Sequence, residues 1–285
     1  MKAAKWTVVL LALVVLTLGA FGSQEVAPAQ DIFAAIRGGD AARVEALLKR
    51  DPTLVKARNA RRSTPLHVAV DLNNVPLVRF LIDKGAELDA VNQANWTPLF
   101  YAKGVEAAGL LLEKGAAIDP LAGDFTPLIQ FVWSEKRELA DLLLSKGAKV
   151  PAPKTPLGSL TAIRALRMGS LRYFEEALKQ GLDPLYESEG RSLWLHYAAE
   201  GPSPELVDRL IGLRVPVDRR NVFGLSPLHV AASRGHTAVV KLLVEKGADM
   251  NARTTDGQTP YNLAVGEERG ETAELLRSLG ADQGP

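Results

Sequence analysis

Histidine is the residue type in this chain best suited to metal binding or proton transfer, because the sequence contains no cysteine. The four histidines are His67, His196, His229 and His236. A metal site or a catalytic pair would need two or more of these imidazoles to converge on one point. The first three instead occupy one recurring sequence position, described below, which places them in separate structural units. We therefore predict a structural role for the histidines, no metal site and no catalytic residue.

Carboxylates and nucleotide-binding or hydrolase motifs are the other possible sources of chemistry. Glu135, Glu138 and Asp141 have helical spacing, which predicts a solvated outer helix face. The chain contains no G-x-x-x-x-G-K-[ST], G-x-S-x-G or H-E-x-x-H motif. These observations predict a protein that is not an enzyme, with no cofactor and no small-molecule substrate. An enzyme with an unrecognised site is the weakest alternative.

The charge composition limits the classes of partner. Lysine and arginine total 34 against 33 aspartates and glutamates in 285 residues, and 47% of the residues are hydrophobic. Such a chain has enough apolar residues to fold but no general attraction to nucleic acid or to an anionic membrane. We expect a protein partner and no nucleic acid. The absence of cysteine is compatible with an oxidising compartment.

The N-terminus carries the evidence for export. A short positive segment, Met1 to Lys5, precedes an apolar run from Trp6 to Ala20, and small residues follow at the usual positions before a cleavage site. Residues 1–22 are therefore predicted to be a signal peptide, residues 23–30 a polar tether, and the protein periplasmic or extracellular. The alternative is an uncleaved N-terminal helix that anchors a structural organiser in the membrane.

The rest of the chain repeats itself with a period near 33 residues. Thr64-Pro65-Leu66-His67 returns in four later variants whose prolines are spaced 33, 29, 100 and 33 residues apart. A second marker of paired apolar residues, such as Leu47-Leu48 and Leu242-Leu243, keeps the same period. A fixed period of this length indicates stacked helix-turn-helix units. Eight helix pairs are predicted.

The segment from Asn221 to Asp249 is the clearest unit. Ser226 is predicted to cap the first helix, with Pro227 in its first turn, where a missing N–H does no harm. Gly235 ends that helix, and Gly247 ends the second helix in a left-handed turn.

This pattern resembles the ankyrin repeat, whose T-P-L-H-x-A signature, period and G-A-D ending the chain shares. The resemblance implies an all-α solenoid of stacked helix-turn-helix units with short β-hairpin-like fingers. It covers residues 31–282, with an N-terminal cap at 31–63, internal repeats at 64–258, a C-terminal cap at 259–282 and a tail at 283–285. It also implies that a protein partner binds the concave face formed by fingers and first helices, and that the histidines hydrogen-bond neighbouring backbone.

Three departures from the period predict local irregularity. The 29-residue spacing before Pro127 removes about one helical turn, which we place near Lys103 to Val105. Lys149 to Ser159 contains three prolines and predicts an irregular finger. Around Ser192 to Trp194 the alignment with the other repeats is ambiguous by one residue.

Aromatic side chains in the third and fourth units are the first candidates for partner binding. Trp96 and Phe125 precede the Thr-Pro pair of successive fingers, while Tyr101 and Trp133 fall on the first helices of the same units. We predict that these four rings converge and anchor a partner, because large aromatics dominate protein interfaces. The alternative is that they only fill space left by the shortened unit.

The flanking fingers supply further candidates, most of them charged. Solvation is the ordinary explanation for such charges, and the alternative is that they steer an acidic partner. The predicted contact residues there are Arg58, Arg61 and Arg62 on one side and Arg219, Arg220, Phe223 and Arg253 on the other.

Overall fold

The computed structural model describes residues 28–282, which form eight helix pairs joined by fingers without extended strands. Only isolated bridges, Ala122 with Phe125 and Glu187 with Leu193, give two of the fingers hairpin character. The predicted all-helical solenoid is confirmed. The predicted signal peptide and the C-terminal tail lie outside the described residues.

The chain divides into two compact units, one up to Ala116 and one from Ala117 onward. Unit 1 contains α1 (Pro28–Arg37), α2 (Ala41–Arg50), α3 (Pro65–Asp71), α4 (Val75–Asp83) and α5 (Val105–Glu113), with 3₁₀ helices at Pro52–Lys56 and Pro98–Tyr101. Unit 2 begins with α6 (Pro127–Trp133), α7 (Arg137–Ser145), α8 (Pro156–Arg167), α9 (Leu171–Lys179) and α10 (Trp194–Ala199). It ends with α11 (Pro204–Gly212), α12 (Pro227–Arg234), α13 (Thr237–Glu245), α14 (Pro260–Gly266) and α15 (Gly270–Ser278).

Most first helices begin where an N-cap threonine or serine is followed by a proline. In α12 the Ser226 side chain accepts a hydrogen bond from the backbone N–H of His229, and Pro227 occupies the first helical position. The helix ends at Gly235, whose φ of 76° is left-handed and suits a residue without a Cβ. The predicted start and end of this helix are confirmed.

Alanines let neighbouring first helices approach closely. Ala198 and Ala199 of α10 and Ala231 and Ala232 of α12 are all fully buried where these two helices pack. The second helices supply larger side chains such as Leu243 of α13, which is also fully buried. The apolar face of each helix pair is thus covered by the adjacent pair, as in other solenoids.

The irregular units differ from the regular ones at their first helices. In the shortened unit the first helix is reduced to the single 3₁₀ turn Pro98–Tyr101, which confirms the predicted loss of a turn. The finger after Lys149 is shorter than predicted, because α8 already begins at Pro156 with Thr155 as its cap. Leu193 occupies the N-cap position of α10 without a side-chain hydrogen bond, so Trp194 stands where most other repeats carry proline.

Fingers contact each other through backbone, and Gly224 makes this contact possible. A Cβ at Gly224 would lie 2.7 Å from the backbone nitrogen of Thr255 in the next finger. Gly257 has nearly the same φ, 76° against 71°, but nothing lies within 4 Å of a Cβ built there. Both glycines are required by the left-handed backbone, but only Gly224 is also required by the close approach of the next finger.

We expect Gly257→Ala to lower the free energy of unfolding by about 1 kcal/mol, because an alanine must adopt the left-handed conformation. Gly224→Ala should lower it by at least about 1 kcal/mol more, because its methyl group also meets backbone that cannot rotate away. Urea denaturation of both variants measures the difference. Equal losses would show that the fingers do not touch at Gly224.

Candidate partner-binding surface

The fingers take their shape from a side-chain turn that recurs along the chain. The Oδ1 atom of Asn221 accepts hydrogen bonds from the backbone N–H groups of Phe223 and Leu225. Asn59 and Asn92 do the same in the first two fingers. Asparagine suits this place because its short amide imitates a backbone turn. The recurrence of asparagine 33 residues apart at positions 59 and 92 was a sequence signal for these turns.

One backbone position in each of five fingers is left-handed. Glycine fills it at Gly224 and Gly257, whereas Arg62, Asn95 and Arg191 hold positive φ values of 57°, 59° and 57°. A left-handed arginine is strained relative to glycine. The predicted contact residue Arg62 therefore lies at a conformationally restricted position, with its side chain exposed.

Each of three histidines connects one finger to the preceding helix pair by hydrogen bonds. In the first of these units the backbone N–H of Thr64 donates to Nδ1 of His67, and Nε2 of His67 lies 3.0 Å from the carbonyl oxygen of Trp96. His196 and His229 repeat the arrangement with the carbonyls of Leu225 and Gln258, at 3.1 Å each. Because Nδ1 accepts, Nε2 carries the proton and donates. In the last repeat the Asn262 side chain accepts a hydrogen bond from the backbone N–H of Thr259 in the same way.

Burial keeps these imidazoles neutral. Desolvation lowers the pKa of His67, His196 and His229 below the usual value, although hydrogen bonds to the carbonyl oxygens oppose the shift. The charged groups that act on them are Arg58 at His67, Arg219 at His196, and Arg220 and Asp249 at His229. His236 also bonds to backbone, with Nε2 2.9 Å from the Glu200 carbonyl. Among the described residues, no group of three or more histidines or carboxylates could hold a metal ion.

Several of the predicted steering arginines are bonded within the fingers. Arg58 donates to the carbonyls of Arg62 and Val91, and Arg220 donates to the carbonyl of Arg253 in the next finger. Arg219 donates to both carboxylate oxygens of Glu187 at 2.8 Å. These side chains brace the fingers, a role that the sequence analysis missed. Whether they also contact a partner stays a prediction.

The four predicted aromatic residues form two pairs, one in each unit. In unit 1 the Trp96 ring stacks on Phe100 at 5.3 Å and lies edge-on to Tyr101 at 5.5 Å. Phe100 takes the place that histidine holds in other units, and the buried hydroxyl of Thr97 has no hydrogen-bond partner among the described residues. In unit 2 the rings of Phe125 and Trp133 lie 5.9 Å apart, and the Arg164 guanidinium lies over Trp133. All four side chains are half-buried, so packing accounts for part of their role.

Phe223 differs from these aromatics because its side chain is 65% exposed although its backbone is firmly held. Its N–H donates to Asn221, and its carbonyl accepts from both the N–H and the hydroxyl of Thr255. Val222 beside it is 48% exposed, and its N–H donates to the Gly190 carbonyl of the preceding finger. That preceding finger presents Leu185 and Tyr186, which are also exposed.

Unit 1 contains a polar hollow of about 430 Å³, lined by charged and aromatic side chains. Tyr101 and Arg61, both predicted contact residues, lie on its wall together with Asp71. Arg37, at the end of α1, also lines it and was not predicted. We call this cavity the unit 1 hollow.

A family model described as ankyrin repeats (3 copies) matches residues 32–121 and 195–284, which is more than half of the chain. The chain belongs to the ankyrin-repeat family. The ankyrin repeats between these segments are the ones with Ile129 and the extended α8, where the T-P-L-H signature is weak.

Known proteins resemble the chain over two thirds or more of its length. Human transient receptor potential cation channel subfamily A member 1 is 25% identical over 78% of this chain, a region that makes up 24% of the channel. A putative ankyrin repeat protein of Rickettsia felis is 28% identical over 67% of this chain and 52% of its own length. The chain therefore spans about half or less of these relatives. The human ASB11 ankyrin repeat domain has the same fold, with a TM-score of 0.53, 24% identity, and coverage of 77% of this chain and 99% of that domain.

We expect the ankyrin stack to lose stability as the pH falls from about 7 to 5. The three histidines have a lowered pKa in the folded state, so their contribution is present above the unfolded pKa of about 6.5 and is lost as the pH falls towards the folded value. Melting temperatures measured across this range test the effect. Replacing all three by asparagine, the residue that the last repeat carries as Asn262, should flatten the pH dependence. A triple variant as acid-sensitive as the original protein would assign the effect to other groups.

Proposed function

We propose that this protein is an exported, non-catalytic ankyrin scaffold or inhibitor that holds a protein partner through its fingers and first helices. Ankyrin-repeat domains are typical of protein-binding scaffolds, and the family membership supports that general role. The absence of catalysis is supported by the histidines, whose ring nitrogens bond to backbone instead of facing a common substrate space.

The exposed ring of Phe223 is the observation that carries this proposal. Most large apolar side chains of a folded protein are covered. The Phe223 ring is 65% exposed on a backbone held by hydrogen bonds, so it is available for burial by a partner. The hydrogen bonds from Asn221 and Thr255 fix the backbone before binding. Binding therefore loses little conformational entropy at this residue. Val222, Leu185 and Tyr186 on the same two fingers extend the apolar contact.

We expect Phe223→Ala to weaken the binding of the principal partner by at least about 2 kcal/mol, or roughly thirtyfold, the usual size of an interface hot spot. Stability should be nearly unchanged, because the ring is exposed. The partner is first captured from an exported-protein extract by the original protein, and its affinity is then measured by calorimetry with both variants.

Two further variants control this measurement. Leu279→Ala removes a 41% exposed side chain at the end of the second helix α15, outside the fingers and first helices, and should leave the affinity unchanged. Trp96→Ala should reduce the melting temperature, because it removes a ring that stacks on Phe100. Unchanged partner affinity in a folded Phe223→Ala protein would remove Phe223 from the binding surface.

The proposal of export is supported by the apolar N-terminal segment. As a separate observation, none of the helices within residues 28–282 has the length and hydropathy of a membrane span. We expect the protein recovered from expressing cells to begin near Ser23, because the small residues before it suit a signal peptidase. Mass spectrometry of the intact protein measures the N-terminus. Retention of Met1 in membrane fractions would favour the alternative of an anchored structural organiser.

A further inference from the structure

We propose that the unit 1 hollow binds an acidic peptide segment, through the carboxylates of its glutamates or aspartates. The proposal rests on the proposed protein-binding function and names the chemistry of the segment that unit 1 recognises.

Uncompensated positive charge is the first observation. Arg37 and Arg61 line the hollow, and neither guanidinium forms an ion pair or a side-chain hydrogen bond with any of residues 28–282. Among the described residues, Asp71 is the only carboxylate in the lining, and its Oδ1 atom lies 2.9 Å from Nζ of Lys103. The two arginines therefore face the hollow without a counter-charge, which an incoming carboxylate would supply.

Arginines in a second hollow have carboxylate partners, so unpaired arginine is not a general property of the protein surface. A larger hollow in unit 2, of about 590 Å³, also contains arginines, but Arg167 lies 2.8 Å and Arg234 3.5 Å from the carboxylate of Glu200. The positive charge in that hollow is thus partly satisfied by the protein itself. Among residues 28–282, no carboxylate pairs with Arg37 or Arg61 as Glu200 pairs with Arg167 and Arg234.

Arg61 is held in place by its backbone. Its N–H donates to the side chain of Asn59, and its carbonyl accepts from the N–H of Gln93 in the next finger. A guanidinium on a fixed backbone presents its donors to a ligand at a smaller entropic cost than one on a mobile loop.

Tyr101 supplies a third donor. Its hydroxyl oxygen accepts a hydrogen bond of 2.7 Å from Nδ2 of Asn92. The orientation of that amide is set, because its Oδ1 atom already accepts from the N–H groups of Ala94 and Trp96. The proton of the Tyr101 hydroxyl therefore remains available to a ligand. The ring is fixed by edge contacts with His67 at 5.8 Å and with Trp96 at 5.5 Å.

The size and overall charge of the site favour a peptide over a nucleic acid. A volume of about 430 Å³ is in the lower range of ligand sites and accommodates a few side chains. A nucleic acid needs a long basic stripe to neutralise successive phosphates. Here Asp71 lies among the cations, and the whole chain has 34 basic against 33 acidic residues.

A fluorescent octaglutamate peptide is the probe, titrated into the full-length protein and followed by anisotropy. Octalysine and a neutral glycine-serine peptide serve as comparison peptides. We expect the octaglutamate peptide alone to bind, with an affinity that falls between about 50 and 200 mM salt because the contact is electrostatic. No binding of octaglutamate, or equal binding of the neutral peptide, would overturn the proposal.

Charge-reversal variants locate the site. The Arg37→Glu, Arg61→Glu double variant should weaken octaglutamate binding at least about tenfold, since two charge-assisted contacts are lost. The control is Arg50→Glu with Arg79→Glu, which makes the same change of net charge in unit 1 at exposed residues outside the hollow. An equal effect of both double variants would overturn the proposal, because binding would then depend on total charge.

A milder variant keeps the test valid if charge reversal disturbs folding. Tyr101→Phe removes only the hydroxyl group and should weaken the peptide about threefold or more with the melting temperature nearly preserved. Preserved affinity in both Tyr101→Phe and a folded Arg37→Gln, Arg61→Gln protein would overturn the proposal. Displacement of the peptide by inorganic phosphate or a short oligonucleotide at lower concentration would assign the hollow to phosphates instead.

The variants distinguish failure of the acidic-peptide proposal from failure of the proposed scaffold function. Phe223→Ala lies in unit 2 and should leave octaglutamate binding unchanged. If Phe223→Ala abolishes partner binding while the Arg37 and Arg61 variants do not affect either ligand, the scaffold function stands and the hollow has no role in it.

Discussion

Each regular repeat depends on a hydrogen bond that it cannot complete alone. The first-helix histidine caps its own helix through Nδ1 and donates through Nε2 to a carbonyl 29 residues further along the chain. One neutral imidazole therefore satisfies one acceptor and one donor on two different structural units. The apolar helix faces have the same requirement, because Leu243 and the small alanines are covered only by neighbouring helices. Polar and apolar contacts alike are made between adjacent repeats.

The helix pairs were predictable because their determinants are local and repeated. A capping residue followed by proline specifies a helix start within a few residues, and the period near 33 identifies degenerate copies by position. Reliance on the period predicted a start of α8 that lies too far along the chain. Thr155-Pro156-Leu157 is itself a valid cap, but it lies off the period, and a comparison based on spacing assigns it to a loop. The alignment at Leu193 needed the structure, because no proline marks that helix.

Side-chain roles on the fingers were less predictable, because they depend on which backbone group lies within reach. Arg58 and Arg61 are the same residue type three positions apart, yet Arg58 bonds two carbonyls and Arg61 faces the unit 1 hollow. No local feature of the sequence separates them. Trp96 was recognised as exceptional, but its stacking on Phe100 follows from the loss of histidine in that repeat. The exposure of Phe223 was likewise decided by the finger turn around it.

The histidine contacts also have a mechanical consequence. A pulling force on the ends of a stack loads bonds that join adjacent repeats, and no bond of this kind spans more than one finger. Such a chain yields in steps, each releasing one repeat of 33 residues, or about 110 Å of extended polypeptide. The repeats that contain Phe100 and Ile129 have no histidine to hold the next finger and would be weak links. We expect extension of such a stack to proceed in steps whose length is set by the sequence period.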